Sequence, residues 1–178
     1  MRALGEAFGA LLDHEPTAGA GTVVYREKTG AEVTSAVAIT RRPFPARWRV
    51  ENSHGLRVND GTTEWTVPVH GSQSSRPAET SLLVPFPLYP ILPEKAPILG
   101  RSTDDWRPVN AHKAGNSLVV VTVEKIDQPE TTGTLTVDLE SKIIREMDLQ
   151  WITIEVVDWS STWLPEPNTF NIAGQFRA

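Results

Sequence analysis

The stretch RWRVENSHGLRVNDGTTEWTVPV, residues 47–69, decides the fold. Its period is two. Trp48 and Val50 alternate with Arg47, Arg49 and Glu51, the pattern of a strand with one buried and one wet face. His54-Gly55 makes a turn, Leu56 to Asn59 resumes the alternation, and Asp60-Gly61 is a strong tight-hairpin signal. It leads into Glu64 to Val69, where Trp65, Val67 and Val69 share a face. These are successive antiparallel strands.

Toward the N-terminus, Thr22 to Lys28 and Glu32 to Thr40 read as a hairpin about the Thr29-Gly30 turn. Before it, Ala3, Leu4, Ala7, Phe8, Leu11 and Leu12 recur at helical spacing, and Asp13, His14, Glu15 and Pro16 follow as a stop. The spacing predicts a short amphipathic helix. Its charge is not basic, which favours a lid packed on a sheet over a membrane-surface anchor.

Toward the C-terminus, Ser117 to Lys125 carries Leu118 to Val121, apolar on both faces, as expected of a central strand with both sides covered. Thr134 to Leu139 places Leu135, Val137 and Leu139 inward, and Asp138 to Lys142 makes a polar turn. The apolar parity then changes. Ile143, Met147, Leu149 and Trp151 are odd, while Ile152, Ile154 and Val156 are even, so either a β-bulge or a plain turn lies near Gln150 to Ile152.

Between the halves runs LLVPFPLYPILPEKAPIL, residues 82–99. Prolines at 85, 87, 90, 93 and 97 exclude a regular helix and a central strand, yet Leu82, Leu83, Val84, Phe86, Leu88, Tyr89, Ile91 and Leu92 are too apolar for a freely solvated loop. The segment is therefore an extended connection packed on the core, a lid over an apolar cavity, or a docking surface.

The 178 residues suit one domain spanning 1–178, and 39% hydrophobic with 22% charged residues is the balance of a soluble globular chain. Seventeen Lys and Arg against 22 Asp and Glu leave a net charge of −5, which opposes nucleic-acid binding. The absence of cysteine removes disulfides, thiolate metal sites and a lipid-anchoring thiol. No run of 18 apolar residues and no secretory leader is present, so the sequence as written reads as cytoplasmic, or as exported if a leader has been removed.

Chemistry is sparse. His14, His54, His70 and His112 lack metal-ligand spacing, and no GxSxG elbow singles out a nucleophile among Ser53 and Ser72. Asp104 with Asp105, and Asp138 with Glu140, read as solvated pairs. No glycine pattern suggests a phosphate loop, and no cofactor is implied. Arg41, Arg42, Arg47 and Arg49, interleaved with Phe44 and Trp48, could grip an anionic head group but fit the wet face of a strand better. Of six tryptophans, Trp48, Trp65 and Trp151 fall on the apolar phase, which builds either a dense core or a concave pocket.

The order of features resembles the LolA/LolB-like lipoprotein-localization factors. The residues that carry the resemblance are the N-terminal helix, Pro45-x-x-Trp48-Arg49-x-Glu51, Asn59-Asp60-Gly61, Gly133-Thr134-Leu135-Thr136-Val137-Asp138 and the closing Leu164-Pro165-x-x-x-x-Thr169-Phe170. The resemblance implies a mainly β fold, a strongly curved antiparallel sheet or half-open β-barrel with a short helix and a proline-rich cover. It also implies an apolar cavity that holds acyl chains or another hydrophobic molecule, as carrier or sensor. From strand phase the expected lining is Trp48, Val50, Trp65, Val67, Leu135 and Val137, with Phe86, Leu88 and Tyr89 at the lid. Two other readings stand beside it: a small enzyme acting on an apolar substrate in the same cavity, with His54, His70, Asp104 or Glu64 as acid or base, and a non-catalytic module docking a protein partner on residues 82–99.

Overall fold

The computed structural model describes residues 2–13, 18–42, 45–78 and 84–172. The expected helix is present as α1 (Arg2–Leu12). His14, Glu15 and Pro16, its expected stop, lie outside the described residues, as do Phe44, Leu82 and Leu83. The first half supplies β1 (Ala18–Glu27), β2 (Glu32–Thr40), β3 (Arg47–Asn52), β4 (Gly55–Asn59), β5 (Thr63–Pro68) and β6 (Ser74–Pro77). After the proline-rich crossing come β7 (Trp106–Lys113), β8 (Leu118–Lys125), β9 (Gln128–Asp138), β10 (Ile143–Leu149) and β11 (Ile152–Ser160).

These form one antiparallel sheet in the order β6-β5-β4-β3-β2-β1-β11-β10-β9-β8-β7. The first and last strands pair at its centre, while β6 and β7, consecutive in the chain, are its two edges. The architecture is the expected mainly β, curved and open sheet with one short helix. Neither edge strand shows in the apolar pattern: β6 is SSRP, exposed throughout, and β7 is largely exposed and carries Pro108. Edges of this kind resist pairing with other chains.

The parity change near residue 150 is a plain turn. Leu149 pairs directly with Ile152, so Gln150 and Trp151 form a two-residue hairpin loop whose flanking residues share a face. Trp151 accordingly sits at the turn, 47% exposed, and not on the apolar phase of a strand. Bulges occur elsewhere: Arg145 is the extra residue in β10, and Val157 the extra one in β11 opposite Thr22 and Val23. Gly21 sits beside that second bulge. A Cβ there would stand 1.9 Å from the Asp158 carbonyl oxygen, so the close approach of β1 and β11 requires glycine.

The concave face holds the main core. Val119, Val121, Val123, Leu135 and Val137 are fully buried there, covered by Ala7 and Leu11 of α1. Leu88, Ile91, Leu92, Ala96 and Ile98 of the crossing segment join the same cluster, which makes that segment a packed cover. A smaller cluster lies on the convex face. Leu56 and Val58 meet Trp65 and Val67 there, and Phe170 and Ile172 fold back over them, with Trp163 edge-on to Phe170 at 6.4 Å between ring centroids.

Acidic turn residues stitch the connections. Asp60 accepts the backbone N–H groups of Thr62 and Thr63, both at 2.8 Å, and Gly61 adopts a φ of 96°. Asp138, expected to be solvated, is buried and accepts the Ser141 hydroxyl at 2.8 Å, the Glu140 N–H at 2.9 Å and the Arg145 Nε–H at 3.2 Å. Asp104 is likewise buried rather than solvated. It accepts the Leu99 N–H at 2.8 Å and the Arg101 Nε–H at 3.0 Å, while Arg101 donates onward to the carbonyls of Glu94 and Ala96, each at 2.5 Å. That clamp fixes the far end of the cover.

Candidate functional site

α1 and the cover fill the concave face over β7–β11 and the central strands, and the face over β3–β6 is left as a groove of about 1010 Å³. Such a volume is at the upper end of small-molecule sites. Its apolar wall is Val50 on β3 with Val84, Pro85, Phe86, Pro87 and Tyr89 of the cover. Beside Val50 the sheet side of the groove carries Asn52, His54, Arg57, Thr66 and Arg76, with Leu56, Val67 and Pro68 at its margin.

Register explains why one wall is polar. The β3–β4 connection has two residues between the paired Asn52 and Gly55, and the β4–β5 connection has four between Asn59 and Glu64. Each even-numbered loop reverses which parity faces inward. Trp48 and Val50 therefore lie beside Asn59 and Arg57, and these beside Glu64 and Thr66, all on the concave face. Trp65 is turned to the convex face with Val58.

At the floor stands an ion triad. Glu64, only 1% exposed, accepts Arg57 Nη2 and also Arg76, whose Nη2 lies 2.9 Å from Oε2 and whose Nε lies 3.2 Å from it. The Arg57 guanidinium carbon stands 5.8 Å over the Trp48 ring, a cation–π contact. A carboxylate so buried is tolerable because two charged donors satisfy it, and removing either leaves a costly imbalance.

An aromatic group closes the rim. Phe86 lies 5.1 Å from Tyr89, 6.2 Å from Trp151 and 6.3 Å from Tyr25 between ring centroids, with edge or tilted geometry throughout. These contacts pin the start of the cover to the β10–β11 turn and to β1. Burial raises the Tyr89 hydroxyl pKa, with the nearby Asp105 charge acting the same way, so it is a neutral donor at ordinary pH.

Of the residues expected to line a cavity, Val50, Phe86 and Tyr89 face the groove, and Val67 borders it while packing into the convex cluster. Trp48 lies beneath Arg57. Leu88, Leu135 and Val137 are fully buried in the main core, away from the groove. Arg57, Arg76 and Thr66 were missed, because they stand on the polar phase of β4–β6 and only the strand register turns that phase inward. His54 lines the groove, Glu64 lies buried beneath Arg57 and Arg76, and Asp104 belongs to the cover clamp. Among the described residues no group of three or more His, Asp or Glu could hold a metal ion.

No family model and no curated protein matches the sequence. Solved structures do. A crystal structure of MucB superposes with a TM-score of 0.63 at 17% identity, over 98% of this chain and 64% of that one. MucB in the Pseudomonas aeruginosa MucA/MucB complex superposes with a TM-score of 0.54 at 15% identity, over 95% and 59%. A LolA superfamily protein from Nitrosomonas europaea aligns at a TM-score of 0.35 and 11% identity over 94% and 96%. The chain thus spans about three fifths of the MucB chains it matches. The likeness is one of fold: the chain shares with MucB a mainly β architecture, here one open antiparallel sheet of eleven strands.

Proposed function

We propose that the chain is a binding protein whose groove holds a hydrophobic, lipid-like ligand, as carrier or sensor. The observation that carries this reading is the groove itself: a concave sheet face left open beside an apolar wall of Val50, Val84, Pro85, Phe86 and Tyr89. An acyl chain laid there exchanges water-exposed apolar surface for contact on both sides, worth about 0.8 kcal/mol per buried methylene. The test uses the neutral fluorescent probe N-phenyl-1-naphthylamine. Thr66→Trp places an indole in the groove from a half-buried β5 position, where a tryptophan suits the strand. The wild-type protein should bind the probe with enhanced emission, and Thr66→Trp should weaken binding tenfold or more with an unchanged melting transition. Equal binding by both proteins, or none by the wild type, defeats the reading.

A second reading rests on the likeness to MucB, which has been solved in complex with MucA. In it the same face receives an extended protein segment. Loss of probe binding on adding a partner protein, with no lipid released from the purified chain, would favour this occupant over the lipid.

A further inference from the structure

Every charged side chain along the described groove lining is basic, in a chain whose net charge is −5. Arg57 and Arg76 line the polar side with His54, and among the described residues the nearest carboxylate, Glu64, lies beneath them at 1% exposure, out of a ligand's reach. Glu64 orients rather than faces the ligand. It bonds Arg57 through one nitrogen, while Trp48 supports the flat side of the same guanidinium. A guanidinium has five donors, and Arg57 keeps about a third of its side chain accessible, so N–H groups remain for an acceptor in the groove. Arg76, half exposed on the edge strand, turns its Nε and Nη2 to Glu64 and brings a second positive charge to the same wall. Apolar residues confront these two charges from the cover.

We propose that the groove selects a single-chain amphiphile with a carboxylate head, a fatty-acid anion. Its chain lies along Val50, Val84, Pro85 and Phe86, and its carboxylate meets the remaining donors of the Arg57 guanidinium beside the Arg76 charge, with Glu64 as the positioning residue. The inference deepens the lipid-binding reading and rests on it. The fork geometry of guanidinium matches a carboxylate and adds charge-assisted hydrogen bonds that an uncharged head cannot make.

The test is displacement of N-phenyl-1-naphthylamine at pH 8 by three twelve-carbon ligands below their micelle concentrations: dodecanoate, dodecanol and dodecyltrimethylammonium. Dodecanoate should displace the probe at roughly tenfold lower concentration than dodecanol, with the cation weakest. Arg76→Gln takes one of two charged donors from Glu64 and so lowers the melting temperature; assayed well below that transition, it should bring dodecanoate close to the level of dodecanol and leave dodecanol unchanged. Arg76→Lys should recover part of the preference, and Arg57→Gln provides a second variant at the same wall. Equal displacement by dodecanoate and dodecanol in the wild type overturns the head-group assignment while the lipid reading stands. Equal weakening of both ligands by Arg76→Gln also overturns it. A probe that never binds overturns both.

Discussion

Replacing Asp104 with Asn tests how the crossing segment is held over the sheet. The carboxylate accepts the backbone N–H groups of Leu99 and Arg101 at 2.8 and 3.1 Å and the Arg101 guanidinium at 3.0 Å. Both backbone N–H groups share one carboxylate oxygen, so an amide keeps them through its single acceptor and turns its NH2 toward the Arg101 guanidinium. The charge-assisted bond at the other oxygen is lost and the buried amide NH2 faces a cation, and since Arg101 is nearly half exposed the ion-pair part is discounted. The expected cost is about 2–3 kcal/mol. For a chain of this size that is a fall of roughly 4–12 °C in melting temperature. The pH dependence gives a sharper check. Burial opposes ionisation of Asp104, but the Arg101 side chain and the two backbone N–H groups outweigh it and hold the pKa below the usual carboxylate value. A depressed pKa contributes stability that is present above the unfolded value of about 3.9 and is lost as pH falls through the folded one. Asp60 and Asp138 are lowered in the same direction and are common to both proteins, so they cancel in the difference. Urea unfolding followed by circular dichroism should therefore show a wild-type advantage at pH 7 that shrinks toward zero in acid. A difference under about 0.5 kcal/mol at pH 7, the scatter of surface substitutions, would refute the clamp. So would a difference that stays constant as the pH is lowered.

Two further substitutions separate scaffold from site. Gly21→Ala drives a methyl into the Asp158 carbonyl and should cost about 3 kcal/mol or more, read as a lost or strongly lowered thermal transition; a near-normal melting temperature would show that β1 and β11 can separate at the bulge. Trp65→Ala removes an indole from the convex cluster and should cost about 1.5–3 kcal/mol, less than a fully buried tryptophan, with probe binding unchanged. Weakened probe binding in a stable Trp65→Ala protein would place that indole in the ligand's path.

The strands with an apolar alternation, β3 to β5 and β9 to β11, were legible because a sheet with one face on a core writes that face into every second residue, and β8 was legible as a continuous apolar run. The edge strands were not. β6 and β7 bury little, so hydrogen bonding alone makes them strands, and hydrogen bonding leaves no mark on composition. The cover was legible as an apolar segment that must pack, since its prolines left no regular alternative. The groove was half legible. Val50, Phe86 and Tyr89 carry apolar phase, but the arginines opposite them lie on the polar phase, and only the lengths of two turns decide that this phase faces inward. Trp65 illustrates the same limit: its apolarity was plain, but its side of the sheet was a matter of register. Asp104 and Asp138 looked solvated because short polar turns and buried hydrogen-bond hubs use the same residues.

The order of strands bears on how the molecule assembles. From β7 to β11 and from β1 to β6 each strand pairs with its successor, so each half is a local meander, and within the sheet the halves are joined where β1 runs against β11, with Thr22 opposite Asp158. Joined end to start, the two runs would read as one uninterrupted meander that the natural chain opens at its middle. A circular permutant beginning at β7, with β11 linked through α1 to β1, would turn this one distant pairing into a local one. Loop closure across some 130 residues is the slow entropic step in such a topology. The permutant should keep the same groove and cover while folding faster. On this reasoning the order in which the strands are joined sets the speed of folding, and their pairing sets what is folded.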